Sequence, residues 1–180
     1  MNENLLLVGN GSSVLKQKNG RLIDNFGTVV RFNSYKTANF EDYVGIKTDI
    51  WFTVNCAHIN NVHSYKEVLV HSWQWDKNKD KVFKKLSALR NCKKTDRKFV
   101  KTRFPFITPS TGLIAIYYFL DFYDCVYITG FDWWDTKPKD HHYGDKEPRG
   151  KLHKPEEEYK IIKHLEKMGY LKFLNDNIKK

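Results

Sequence analysis

A chain of 180 residues, 41% of them hydrophobic, is long enough to bury a full core without staples and fits a single domain over 1–180. Its formal net charge of +10 at pH 7 points to an anionic partner: a nucleotide, an acidic glycan, a membrane surface or a nucleic acid. No apolar run can span a bilayer, no signal-peptide pattern opens the chain, and Cys56, Cys92 and Cys125 lack CxxC spacing, so reduced thiols in a cytoplasmic protein are expected.

Residues 4–9 predict a buried strand, because the run Leu5-Leu6-Leu7-Val8 is bounded by Gly9. Further strands are predicted over 27–33, 49–55 and 67–72. Val82, Phe83, Leu86 and Leu89 have helical spacing and predict a helix over 79–91. A strongly apolar helix is predicted over 110–122, then a strand over 125–130 buried on both faces. Residues 155–168 predict an amphipathic helix with Tyr159, Ile162, Leu165 and Met168 inward. The stretch 132–152 shows no periodicity and is long for a connection, which predicts a mobile functional loop. Strands alternating with helices predict an α/β fold: a mostly parallel, Rossmann-like sheet flanked by helices.

Two turns rich in small residues stand out. The first is Gly9-Asn10-Gly11-Ser12-Ser13, after the first strand; the second is Pro109-Ser110-Thr111-Gly112, before the apolar helix. Small residues let backbone N–H groups approach an anion, and a helix starting there adds its dipole. Two such turns suggest a nucleotide site. Asn10 and Asn33 end the first two strands, where open α/β sheets bind ligands, although asparagines also cap turns. Ser110 is equally a plain helix cap. The first turn is not GxGxxG, and no lysine follows Gly112 as a Walker loop requires.

His142 and His153 are the acid–base candidates, since imidazole titrates near neutrality. Pro155 and the run Glu156-Glu157-Glu158 mark a helix start. Glu158 is placed to orient an imidazole; Glu156 and Glu157 simply suit the helix dipole. A rival reading makes Asp140, His141, His142 and Asp145 metal ligands. Trp133 and Trp134 either stack on a sugar or close the core.

These residues, in this order, resemble the sialyltransferases of glycosyltransferase family 29. The large signature of that family resembles Leu6 to Thr48, with Val8-Gly9-Asn10-Gly11, Ile23-Asp24, Val30-Arg31-Phe32-Asn33 and Val44-Gly45-Ile46-Lys47-Thr48. The small signature is similar to Pro109-Ser110-Thr111-Gly112 through Gly130-Phe131, the third to His142-Tyr143-Gly144-Asp145, and the very small one to His153 and Glu158. The resemblance implies an inverting transfer of sialic acid, or a related acidic sugar such as Kdo, from a CMP-sugar to a glycan hydroxyl. It implies that Asn10, Gly11, Asn33, Ser110, Thr111 and Gly112 bind the CMP part. His153 would be the general base. His142, helped by Tyr143, would meet the departing phosphate. Glu158 would support the last helix and its histidine. No cofactor and no metal are implied, since CMP-sugar is a substrate.

The chain departs from the family pattern in its cysteines: none precedes Leu5, and Tyr123 stands where the second family cysteine would be. It therefore reads as a soluble, bacterial- or viral-like relative, with possible contact to an anionic membrane's inner face and no nucleic-acid partner expected. The alternatives are a metal-dependent phosphoesterase built on Asp140-His141-His142, and a non-catalytic basic module that binds anions or nucleic acid.

Overall fold

The computed structural model describes residues 4–53, 64–71, 92–94, 100, 102–105, 107–132, 141–144 and 153–174. The helix expected over 79–91 lies outside them, as do Trp133, Trp134, Asp140 and Asp145 and most of the loop over 132–152.

Seven strands form one sheet, every pair of neighbours parallel: β1 (Leu5–Val8), β2 (Thr28–Phe32), β3 (Ile50–Thr53), β4 (Glu67–Val70), β5 (Cys92–Lys94), β6 (Val126–Thr129) and β7 (Leu171–Phe173), in the order β5-β4-β3-β2-β1-β6-β7. The helices are α1 (Gly20–Asp24), α2 (Glu41–Val44), α3 (Thr111–Phe119) and α4 (Pro155–Lys167), with a 3-10 turn over Ser12–Lys16. The Rossmann-like α/β expectation is met.

Strand periodicity sorts the core into two layers. Leu5, Leu7, Val30, Phe32, Ile50 and Phe52 pack with Leu113, Ile114 and Ile116 of α3 and Ile162 and Leu165 of α4. Leu6, Val8 and Val29 point to the other face and pack with Ile23 of α1. β1 is buried on both sides, which explains its unbroken apolar run. Its neighbours β2 and β6 lead to opposite halves of the sheet. The strand order therefore reverses between β1 and β6, and a crevice opens above their carboxyl ends.

Three sequence expectations change. Met168 is exposed, because α4 stops at Lys167 and leaves it at the cap; the buried side chains of α4 are Glu158, Ile162 and Leu165. Tyr127 of β6 is only half buried. β5 and β7 are additional strands, too short to announce themselves in sequence.

Two buried charges brace the half of the sheet around β2. Arg31 is 2% exposed and reaches the chain that links α2 to β3. Its Nε donates to the Lys47 carbonyl and Thr48 Oγ1, both at 3.0 Å, and its guanidinium also donates to the Val44 carbonyl at 2.6 Å. Burial pulls its pKa down to about 10, so it stays charged at neutral pH. Asp49 lies at the amino edge. It accepts from the Val29 N–H at 2.9 Å and pairs with Lys66 at 2.8 Å and Lys47 at 3.5 Å.

Burial alone would push the Asp49 carboxyl up. The Lys66 and Val29 hydrogen bonds and the two lysine charges outweigh it, and the net shift is down. A lowered carboxylate pKa stabilises the fold above the unfolded value and loses that contribution as pH falls through the folded one. We expect Asp49→Asn to cost about 1–3 kcal/mol in chemical denaturation at pH 7. The gap to wild type should close as pH falls through the lowered pKa of the folded carboxyl. A gap independent of pH would contradict this account.

Candidate active site at the carboxyl edge of the sheet

Every candidate residue lies at the carboxyl edge. Asn10 follows β1, Asn33 follows β2, and the segment 130–132 follows β6. Helices α3 and α4 each run back to feed the next parallel strand, so their amino ends face the same edge. The residues gather into two clusters, one on each side of the crevice.

The first turn is not an open anion cradle. Gly9 and Gly11 N–H groups donate to the carbonyls of Thr129 and Gly130 at 2.8 and 2.9 Å. The Ser13 N–H donates to Asp132 Oδ2 at 3.1 Å. A Cβ on Gly11 would sit 2.5 Å from the Asp132 carboxyl carbon, so the glycine makes room for that carboxylate. Asp132 is itself buried. A negative group in the turn repels a phosphate placed there. The helix expected to aim its dipole at this spot is a five-residue 3-10 turn without a side-chain cap. The Gly9, Gly11 and Ser13 N–H groups of this turn thus meet acceptors within the protein.

Asn10 holds the crevice in another way. Its Nδ2 donates to the Phe32 carbonyl at 3.2 Å, tying the end of β1 to the end of β2. Its own carbonyl accepts the His142 N–H at 2.9 Å. The His142 ring is 6% exposed and sits between two carbonyls, with Nε2 2.8 Å from Lys36 O and Nδ1 3.2 Å from Asn10 O. Phe40 and Tyr143 meet it edge-on, at centroid distances of 5.0 and 4.8 Å. Burial, with help from Arg31 and His141, lowers its pKa against the pull of the two carbonyls. A neutral ring has one N–H, and the shorter contact places it on Nε2, donating to Lys36. As it stands, His142 staples the turns after β1 and β2. Lys36 in turn lies over the Tyr143 ring, 4.9 Å from its centroid.

Asn33 has a left-handed φ of 48°, donates its N–H to Phe52 O and accepts from Trp51 Nε1 at 2.8 Å. It borders a cavity of about 470 Å³ that also involves Tyr35, Lys36, Trp51 and Tyr65. The Tyr35 and Tyr65 hydroxyls are 3.0 Å apart, and burial first, then Tyr35, raises the Tyr65 pKa. No sequence motif announced this cavity, since its aromatic residues come from three separate segments.

The second cluster joins α3 and α4. Ser110 is the cap of α3, and its Oγ accepts the Leu113 N–H at 3.2 Å. The Ser110 N–H and hydroxyl both donate to the Glu158 carboxylate, at 2.7 and 2.6 Å. Its hydroxyl thus gives one hydrogen bond and takes one. Glu158, 1% exposed, is the bolt between the two helix starts. The N–H groups of Thr111 and Gly112 are the first two of α3, and position leaves them without partners inside the helix. They point to the carboxyl edge beside a buried carboxylate. That environment favours neutral acceptors, such as sugar hydroxyls, over a phosphate dianion.

His153 is exposed, one residue ahead of the α4 cap, and its Nδ1 lies 3.0 Å from the Thr108 carbonyl. A carbonyl only accepts, so Nδ1 carries the proton and the neutral ring keeps a lone pair on Nε2. Thr108 lies two residues before Ser110. The same loop therefore receives His153 and, through Ser110, Glu158. Among the described residues no group of three or more His, Cys, Asp and Glu side chains could hold a metal ion. No described helix is long and apolar enough to cross a membrane.

Removing the bolt should loosen both helix starts. Glu158→Ala is expected to cost about 1–3 kcal/mol, because it leaves the part-buried Ser110 donors without their acceptor. Glu158→Gln, which can still accept from the Ser110 N–H, should cost roughly 1 kcal/mol. Chemical denaturation checks both, and a Glu158→Ala protein as stable as wild type would remove the bolt.

The family model described as glycosyltransferase family 29 (sialyltransferase) matches residues 6–91 and 66–170, a span that takes in both clusters. A mammalian sialyltransferase solved in complex with Gal-beta-1-3GalNAc-ortho-nitrophenol is similar in fold, with a TM-score of 0.76 at 18% identity, over 96% of this chain and 69% of that one. Another mammalian sialyltransferase structure gives 0.76 at 19% identity, over 96% and 68%. No individual curated protein sequence matches the chain. With the family model covering most of its length and the fold in agreement, the chain belongs to glycosyltransferase family 29, the sialyltransferase family.

Proposed function

We propose that the protein is an inverting glycosyltransferase that moves sialic acid, or a related acidic sugar such as Kdo, from a CMP-sugar to a glycan hydroxyl. The observation that carries this reading is the pose of His153: an exposed imidazole whose Nδ1 is turned to the Thr108 carbonyl, leaving Nε2 basic at the carboxyl edge. In the proposed step Nε2 takes the proton of the acceptor hydroxyl. The hydroxyl oxygen forms the new bond to the anomeric carbon as the bond to the phosphate oxygen breaks. CMP departs with that electron pair. A base of this kind contributes about 10²–10⁴-fold in rate.

The rest of the edge suits the donor. Thr111 and Gly112 offer N–H groups to the nucleoside hydroxyls, while Ser110 fixes their helix. Asn10, Asn33 and Tyr143 line the opposite side of the crevice, with His142 holding the Asn10 turn in place. We expect no cofactor and no metal requirement, since the leaving group is a single phosphate. A β-galactoside acceptor is the first to assay, because a solved relative holds Gal-beta-1-3GalNAc-ortho-nitrophenol. The net charge of +10 suits acidic donors and an anionic membrane surface, and we place the protein in the cytoplasm, with peripheral contact to the inner face of the membrane. Nothing among the described residues favours the phosphoesterase, because His142, a ligand in that reading, turns both ring nitrogens to backbone carbonyls.

Calorimetric titration with CMP, UMP and AMP, with and without EDTA, tests the donor class. Selective CMP binding that ignores the chelator is expected; equal affinity for all three would overturn it. His153→Ala should lower transfer by roughly 10²–10⁴-fold and leave CMP affinity within about twofold, a difference of under 0.5 kcal/mol. Undiminished turnover in that variant would rule His153 out as the base.

A further inference from the structure

The cavity of about 470 Å³ beside Asn33 is built largely from residues that neither the staple nor the base uses. Its volume falls within the roughly 300–1,000 Å³ of small-ligand clefts. Trp51, 3% exposed, lies deepest. Its Nε1 is spent on the Asn33 carbonyl, so the indole offers the cavity only apolar surface. Tyr65 packs on the indole at a centroid distance of 5.7 Å and an interplanar angle of 30°. Tyr35 completes the wall through its hydroxyl contact with Tyr65. Both tyrosines are half exposed.

The rim is polar and already shaped. Residues 33–39 run between two left-handed asparagines, Asn33 at φ 48° and Asn39 at φ 71°. The Tyr35 N–H donates to the Phe32 carbonyl at 3.1 Å, the Phe40 N–H to the Thr37 carbonyl at 2.9 Å, and the Asn39 N–H to Glu41 Oε1 at 3.0 Å. These bonds fix the loop, so the cavity is preorganised for a ligand. Ser34, Thr37 and Asn39 bring hydroxyls and an amide to the rim, and among the described residues no hydrogen bond occupies those side chains. Among the described residues no carboxylate lines the cavity, and Lys36 is its one cation.

Aromatic surface beneath hydroxyls and amides suits a sugar ring. The C–H face of a pyranose packs on the rings, and its hydroxyls exchange hydrogen bonds with the rim. A flat base is a poorer match, because Tyr65 already lies over the indole that would stack on it. We propose that this cavity is a glycan-binding site that takes a neutral hexose residue of the acceptor. The proposal rests on the glycan-acceptor part of the function above and not on the CMP donor. Lys36, whose carbonyl holds the His142 ring, also lines the cavity, which therefore adjoins the crevice wall. His153 belongs to the cluster on the other side of the crevice, so the hexose held here is not the one whose hydroxyl reacts. The site selects acceptors by length.

Ligand-observed NMR with the methyl β-glycosides of galactose, glucose and mannose tests the site directly, without turnover. At least one should bind wild type, with saturation transfer strongest at its ring C–H protons. Tyr65→Ala should weaken that binding about fivefold or more, as loss of an aromatic contact requires. Tyr65→Phe, which keeps the ring, should stay within about twofold of wild type. Tyr35→Ala removes the other wall and gives the same reading where Tyr65→Ala folds poorly. In transfer assays Tyr65→Ala should raise KM for a trisaccharide acceptor and keep kcat, the mark of binding lost away from the reacting atoms. Failure of all three glycosides to bind wild type, or equal binding by wild type, Tyr65→Ala and Tyr35→Ala, would overturn the site. A protein that binds a glycoside through Tyr65 and does not bind CMP would keep the site and overturn the donor reading.

Discussion

The pairing of Glu158 with Ser110 decides where the second cluster sits. Two helices that lie far apart in sequence meet at their amino ends through one carboxylate. Both helices pack the same layer of core residues, so apolar contacts fix their distance from the sheet. Those contacts are not directional and leave each helix able to slide along its axis. The carboxylate removes that freedom, because a short hydrogen bond to an N–H and another to a hydroxyl are satisfied in one register only. His153 and the first N–H groups of α3 inherit their positions from it.

Across the crevice, position is set by backbone carbonyls. Phe32's carbonyl accepts the Asn10 amide, Lys36's the His142 Nε2–H and Asn10's the His142 backbone N–H, and together they lash the ends of β1 and β2 to the segment 141–144. The protein thus builds one side of its site with an acid and the other with neutral amides and an imidazole. Asp132, close to the glycine turn, faces the 3-10 turn, where it meets the Ser13 N–H.

The sequence makes the sheet legible because buried parallel strands are unbroken apolar runs. Leu5–Val8 is of this kind, and the alternation of strands with helices then limits the architecture. Cys92–Lys94 is invisible in that light, since a three-residue edge strand with two lysines has no apolar signature. The site is legible as residue types and not as roles. Glu158 stands in a run of three glutamates, and only burial separates it from its neighbours. Ser110 reads as either a cap or a ligand, and the structure uses its hydroxyl as a cap. Gly11 reads as clearance for a ligand, yet the nearby group is Asp132, whose approach across the β1–β6 pairing no local pattern can forecast. His141 and His142 are adjacent and chemically identical, yet in the turn closed by the Gly144 N–H on the His141 carbonyl one is half exposed and the other buried.

The place of β1 in the sheet has a consequence for how the chain acquires its fold. Its first strand pairs on one side with β2, close behind it, and on the other with β6, where Leu5 meets Val126. During synthesis that edge of β1 stays open until β6 has left the ribosome. Pairings of such long range are slow, because a large loop must close before they form. The crevice that hosts the chemistry is the seam of that late closure. Its two walls come from segments far apart in sequence, and the crevice comes into being only when they meet.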